Sequence, residues 1–126
     1  MSAAIDGVLQ QARRRFNRVT PEQAAAEHSQ GALLVDTRTG EQRARDGEIP
    51  GAIVIERTVF EWRLDPTSPS RIEQASSHDV RVIVVCNEGY SSSLAAASLL
   101  DLGLVNATDV IGGFQAWKAA GLPVKS

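Results

Sequence analysis

Four consecutive β-branched residues, Val82-Ile83-Val84-Val85, offer no polar side to water. A strand of that kind must be covered on both faces, as parallel strands are when helices flank them. Directly behind it comes a small, polar stretch, Cys86-Asn87-Glu88-Gly89-Tyr90-Ser91-Ser92-Ser93. From there Leu94, Ala95, Ala96, Ala97, Leu99, Leu100 and Leu102 give a helical pattern closed by Gly103. The run therefore fixes a strand, a loop and a helix in succession. The chain's single cysteine sits at their joint, at the strand's carboxyl end and facing a helix amino terminus.

That position has chemical consequences. Unpaired backbone NH groups and the positive end of the helix dipole converge there, and both favour an anion. A thiolate so placed titrates below the ordinary value of roughly 8.5, and the thiolate is the nucleophilic form. Gly89 lets the loop curl, because glycine takes positive φ without cost. A lone cysteine after a strand is more often a small buried hydrophobe than a nucleophile, and position alone does not establish the catalytic role.

The rest of the chain repeats the alternation. Ile5 to Phe16 reads as a helix with Ile5, Val8, Leu9, Ala12 and Phe16 near one face. Arg13-Arg14-Arg15 and Arg18 follow, and read as a solvated helix end whose cations complement the dipole. Thr20-Pro21-Glu22-Gln23 starts a second helix, with Thr20 as N-cap and Gln23 completing a capping box, and Gly31 stops it. Ala32 to Val35 is a buried strand ending in Asp36-Thr37-Arg38, where Asp36 can orient Arg38 or cap the next turn. Glu41 to Asp46 allows a turn or two of helix, and Ile53 to Ile55 is the next strand. Glu56 to Leu64 mixes a helical turn with loop, Asp65 to Pro69 is a break, and Arg71 to Ala75 is a brief helix. Ala107 to Ile111 is the last strand, followed by Gly112-Gly113 and a helix ending at Gly121. Strands alternating with helices predict an α/β fold with a parallel sheet covered on both faces.

Composition narrows the function. With 126 residues the chain is one domain with a single core, and its hydrophobic fraction of 43% is that of a soluble globular protein. A net charge of −2 argues against a nucleic-acid binder, and no stretch predicts a membrane partner. One cysteine makes neither an internal disulfide nor a CxxC pair, and His28 and His78 have no second ligand at metal-binding spacing. His78 stands at the far end of the Cys86 strand, roughly 25 Å away at the usual rise, so the two form no catalytic pair. The first eighteen residues carry no secretory pattern, and a cytoplasmic location, where a thiol stays free, is the expectation.

Four stretches together resemble the single-domain rhodanese-like sulfurtransferases: Leu34 to Arg38, Gly47 to Ala52, the Cys86 loop, and Gly112 to Trp117 with Gly121 to Val124. The resemblance covers roughly the last three-quarters of the chain, in the family order. It implies a central parallel sheet of about five strands with helices on both faces, residues 18–126 forming the domain and 1–17 a helical extension. It implies that Cys86 accepts a sulfane sulfur from a donor such as thiosulfate or a persulfide, and passes it to cyanide, a thiol or a protein acceptor. Asn87, Glu88, Gly89, Tyr90, Ser91 and Ser92 would bind substrate, with Asp36 and Arg38 in support. No metal or organic cofactor is implied, and with no second cysteine the acceptor comes from outside.

Two positions depart from the family pattern. Ser91 stands where many members have arginine, and Glu48 replaces a common histidine in the second motif. The loop's one charge is then Glu88, which repels a dianionic donor unless it points outward, leaving Arg38, Arg57 or Arg63 to supply positive charge. Phosphatases of related architecture need a longer loop with arginine six residues after the cysteine. That position is Ser92, which argues against phosphoryl chemistry. The remaining alternative is a non-catalytic or sulfur-relay binding module.

Overall fold

The computed structural model describes residues 3–126. Helix α1 (Ala4–Arg13) is followed by α2 (Pro21–Ser29), β1 (Leu33–Asp36), α3 (Gly40–Asp46) and β2 (Ile53–Val54). A 3-10 turn at Arg57–Val59 leads into α4 (Phe60–Leu64), and then come β3 (Val82–Val85), α5 (Ser91–Asp101), β4 (Ala107–Asp109) and α6 (Gly113–Ala119). All strands are parallel, in the order β2-β1-β3-β4. No helix among the described residues is long and apolar enough to cross a membrane.

The sheet has four strands, not about five. A further pairing exists at the β4 edge as one bridge, where Val19 N donates to Asp109 O and Ile111 N donates to Val19 O. Pro21 then begins α2 under the expected capping box of Thr20 and Gln23, which leaves no chain to extend the pairing. The β4 strand is shorter than expected for a related reason. Val110 N still bonds to Val84 O, but beyond it Gly112 takes positive φ and turns the chain into α6. The brief helix expected over Arg71 to Ala75 is a turn, held by Ile72 N on Arg63 O and Ala75 N on Ile72 O.

Side-chain alternation along β3 builds the two cores. Val82 and Val84 face a layer with Phe60, Leu64, Ala95, Ala96 and Leu99 from α4 and α5. Ile83 and Val85 face the other layer, with Ala24 from α2 and Phe114 and Trp117 from α6. All four β3 residues are buried, as their unbroken β-branched run requires. Helix α1 packs on α5 with Leu9 and Ala12 buried, and Phe16, beyond its end, packs against the Val82 and Val84 layer. Ile5 and Val8, expected on that face, are exposed.

Candidate active site

The chain reverses its direction of sheet growth between β1 and β3, and in parallel α/β sheets that switch opens a crevice at the strands' carboxyl ends. A cavity of about 350 Å³ occupies it. Thr37, Arg38, Thr39 and Gln42 line the β1 side, and Cys86, Asn87, Glu88, Tyr90 and Ser91 line the other. Gly89 and Ser92 face the sulfur instead of the open cavity: Gly89 N donates to Cys86 Sγ at 3.1 Å and Ser92 N at 3.4 Å. Helix α5 begins at Ser91, earlier than its leucine and alanine pattern suggests, so the Ser92 amide of its first turn lies against the sulfur. Among the described residues, no three His, Cys, Asp or Glu side chains converge as metal ligands do.

The loop amides are presented inward because the carbonyls are held from outside. Cys86 O accepts from Phe114 N at 2.8 Å and Asn87 O from Gln115 N at 3.1 Å. In a trans peptide the NH points opposite to the carbonyl, so the amides of Asn87 and Glu88 turn away from α6. Neither donates to a protein acceptor among the described residues. This close approach explains the paired glycines. A Cβ on Gly113 would stand 2.5 Å from Cys86 O and 2.7 Å from Gly89 N, and one on Gly89 would stand 2.7 Å from Gly112 N.

Asp36 performs both of its expected local roles. It accepts from Arg38 N at 2.9 Å and pairs with the Arg38 guanidinium, Nη2 to Oδ2 at 2.8 Å. That guanidinium also donates to Gly47 O and lies 3.7 Å over the Phe114 ring. Arg38 thus lines the cavity with its charge already neutralised, and its Nη1 is buried without a partner. Arg57 pairs with Glu61, and Arg63 donates to Ser70 O; neither reaches the cavity. Glu88 is exposed on the cavity rim, and Glu48 is absorbed in a backbone bridge to Lys125.

The arginine run behaves differently from a solvated helix end. Arg13 donates to Gly89 O at 2.7 Å and to Ser93 Oγ at 3.0 Å, and Arg18 donates to Gly89 O at 2.9 Å and pairs with the buried Asp109 at 2.8 Å. Asp109 also accepts from the Ser92 and Ser93 hydroxyls at 2.7 and 2.8 Å. Arg15 reaches Asp101, and Arg14 is exposed. Nothing in the sequence pattern joins these partners, which lie 71 to 91 positions apart.

Burial pushes the Cys86 thiol up, but the donors that Ser92, Ser91 and Gly89 place around the sulfur more than reverse it, and the thiol lies below its ordinary value. The Ser92 hydroxyl has a single proton, which its 2.7 Å contact to Asp109 claims. The two backbone amides and the Ser91 hydroxyl are accordingly the donors that hold the thiolate. A depressed pKa enriches the thiolate on the acid side, so alkylation by iodoacetamide persists to lower pH than in the unfolded chain. Rates measured across pH, native against urea-denatured, should give the lower midpoint to the native protein. A native midpoint at or above the denatured one would contradict this account of the sulfur.

A family model for the rhodanese-like domain matches residues 20–120. The chain belongs to the rhodanese-like family. Among its relatives, "Thiosulfate sulfurtransferase GlpE" of Pseudomonas savastanoi pv. phaseolicola is 36% identical over 104 residues, which are 82% of this chain and 89% of that protein. A Rhodopseudomonas palustris CGA009 structure described as a protein of unknown function and possible tyrosine phosphatase superposes with a TM-score of 0.87. It is 32% identical and covers 99% of this chain and 96% of its own. A rhodanese-related protein of Thermoplasma volcanium has a TM-score of 0.67 at 26% identity, over 86% of this chain and 97% of its own. The rhodanese-like fold thus accounts for the strand order and for the cavity at the switch point.

Proposed function

We propose that this chain, a sulfurtransferase of the rhodanese-like family, carries sulfane sulfur as a persulfide on Cys86. The observation behind the reading is the thiolate-favouring contact set: Gly89 N and Ser92 N on Sγ, at the floor of an open cavity. With thiosulfate as donor, the thiolate attacks the outer sulfur, the S–S bond breaks, and sulfite leaves with the electron pair. The product is a Cys86 persulfide anion, for which the free amides of Asn87 and Glu88 are suitable donors. An acceptor such as cyanide then takes the outer sulfur as thiocyanate and the thiolate returns. No electrons pass to the protein, and a lone cysteine offers no resolving thiol, so the sulfur waits for an external acceptor. Incubation with thiosulfate should add the mass of one sulfur atom to the protein, and cyanide should remove it with release of thiocyanate. A stable adduct that neither cyanide nor a thiol discharges would favour the carrier module instead.

Tyrosine phosphatase chemistry fits the site poorly. The position six residues after the cysteine is Ser92, buried and committed to Asp109, and the one arginine lining the cavity is neutralised by Asp36. Donor choice is the finer question, and Glu88 bears on it. It lines the cavity, is exposed, and opposes a dianion. Glu88→Gln should raise kcat/KM for thiosulfate about five-fold at low ionic strength, with the gain shrinking as salt is added. A neutral polysulfide donor should show no such gain. Equal effects on both donors would remove Glu88 from donor selection.

A further inference from the structure

The family match begins at residue 20, yet two side chains from before it reach into the loop that carries the cysteine. We propose that Arg13 and Arg18 are positioning residues: by holding the Gly89 carbonyl they turn the Tyr90 amide, on the same peptide, towards the cavity as a donor for anionic substrate. The inference rests on the sulfurtransferase reading for its substrate, but not for its geometry. Gly89 O accepts both guanidinium groups, at 2.7 and 2.9 Å. No peptide in the described chain is cis, so the NH of Tyr90 points away from the two arginines. Tyr90 lines the cavity, and its amide has no protein acceptor among the described residues.

The clamp is itself held. Asp109, fully buried, accepts from Arg18 and from the hydroxyls of Ser92 and Ser93, and Ser93 Oγ accepts from Arg13 Nε. This closed network anchors both guanidinium groups against the first turn of α5. The charge is near the loop yet does not enter the cavity, since neither arginine lines it. An inward-turned peptide NH, polarised by two guanidinium donors at its carbonyl, takes the place of a cationic side chain in a loop that has none.

The test compares alkylation of Cys86 by anionic iodoacetate and neutral iodoacetamide at one pH. Both reagents need the thiolate, so the ratio of their rates cancels its population and reports the affinity of the site for an anion. Arg13→Gln removes one arm of the clamp without stranding a buried carboxylate; Arg18→Gln is made together with Asp109→Asn for the same reason. In each, the iodoacetate-to-iodoacetamide ratio should fall about five- to ten-fold, and Arg13→Lys should recover part of the loss. Arg14→Gln removes the same charge from the exposed side of the same helix end and should leave the ratio within two-fold of wild type. A ratio unchanged in the clamp variants, or lowered equally by Arg14→Gln, overturns the proposal. If wild type takes no sulfur from thiosulfate while the ratio still falls in the clamp variants, the functional reading fails and the positioning role stands.

Discussion

Cys86→Ala should bring thiocyanate formation from thiosulfate and cyanide down to the buffer rate, a loss of about a thousandfold or more. The protein mass should no longer rise on incubation with the donor. The fold should survive, because the substitution removes one sulfur atom from a site already bordering an open cavity, at a cost of ~1 kcal/mol. Circular dichroism and a thermal melt beside the assay separate a missing nucleophile from a missing structure. Cys86→Ser should be as inactive, since a hydroxyl ionises too weakly to replace the thiolate that Gly89 N and Ser92 N stabilise. Thiocyanate production surviving in either variant would take Cys86 out of the mechanism.

The second large effect belongs to a glycine with no chemistry of its own. Gly113 has φ of +60°, and an added Cβ would meet three backbone atoms: Cys86 O at 2.5 Å, Gly89 N at 2.7 Å and Asn87 C at 2.9 Å. None of these can rotate aside as a side chain would. Gly113→Ala must therefore push α6 off the loop or the loop off its amide geometry. We expect a loss of ~2–4 kcal/mol and a melting temperature lower by about 10 °C, combining left-handed strain with the clash. Sulfur loading should slow more than ten-fold, as the carbonyls of Cys86 and Asn87 lose their partners on α6. The same exchange at Gly7, which is helical and where an added Cβ would meet nothing within 4 Å, should stabilise by ~0.5–1 kcal/mol. A Gly113→Ala protein as stable and active as wild type would show that the loop does not depend on this contact.

The parts of the molecule legible in the sequence are those set by neighbours along the chain. The capping box of Thr20 and Gln23 forms as expected, because it needs only residues within one helical turn and no tertiary partner. The β3 run forms a strand buried on both faces for the same local reason. The thiol at the strand end lies where the strand, loop and helix pattern places it. What the pattern missed depends on distant contacts. Arg13 and Arg18 read as solvated because their partners, Gly89 and Asp109, come 71 to 91 residues later. Asp109 gave no signal, being one acid at the end of a short strand, and Arg38 looked available until Asp36 and Phe114 enclosed it. Ile5 and Val8 are exposed although they share a helical stripe with Leu9 and Ala12, because α5 covers only part of α1.

The two layers that sandwich the sheet meet again at the Cys86 loop. The carbonyls of Cys86 and Asn87 are fastened to α6 on one side, and the loop's later residues run into the first turn of α5 on the other. The loop works as a rivet through the sheet rather than as a flap upon it. Hydrogen exchange at the bonded amides of Gly89, Ser92, Phe114 and Gln115 should therefore find no low-energy local opening, unlike in most substrate-binding loops. The site should melt with the domain as a single cooperative unit, so that on heating activity and structure are lost at the same midpoint.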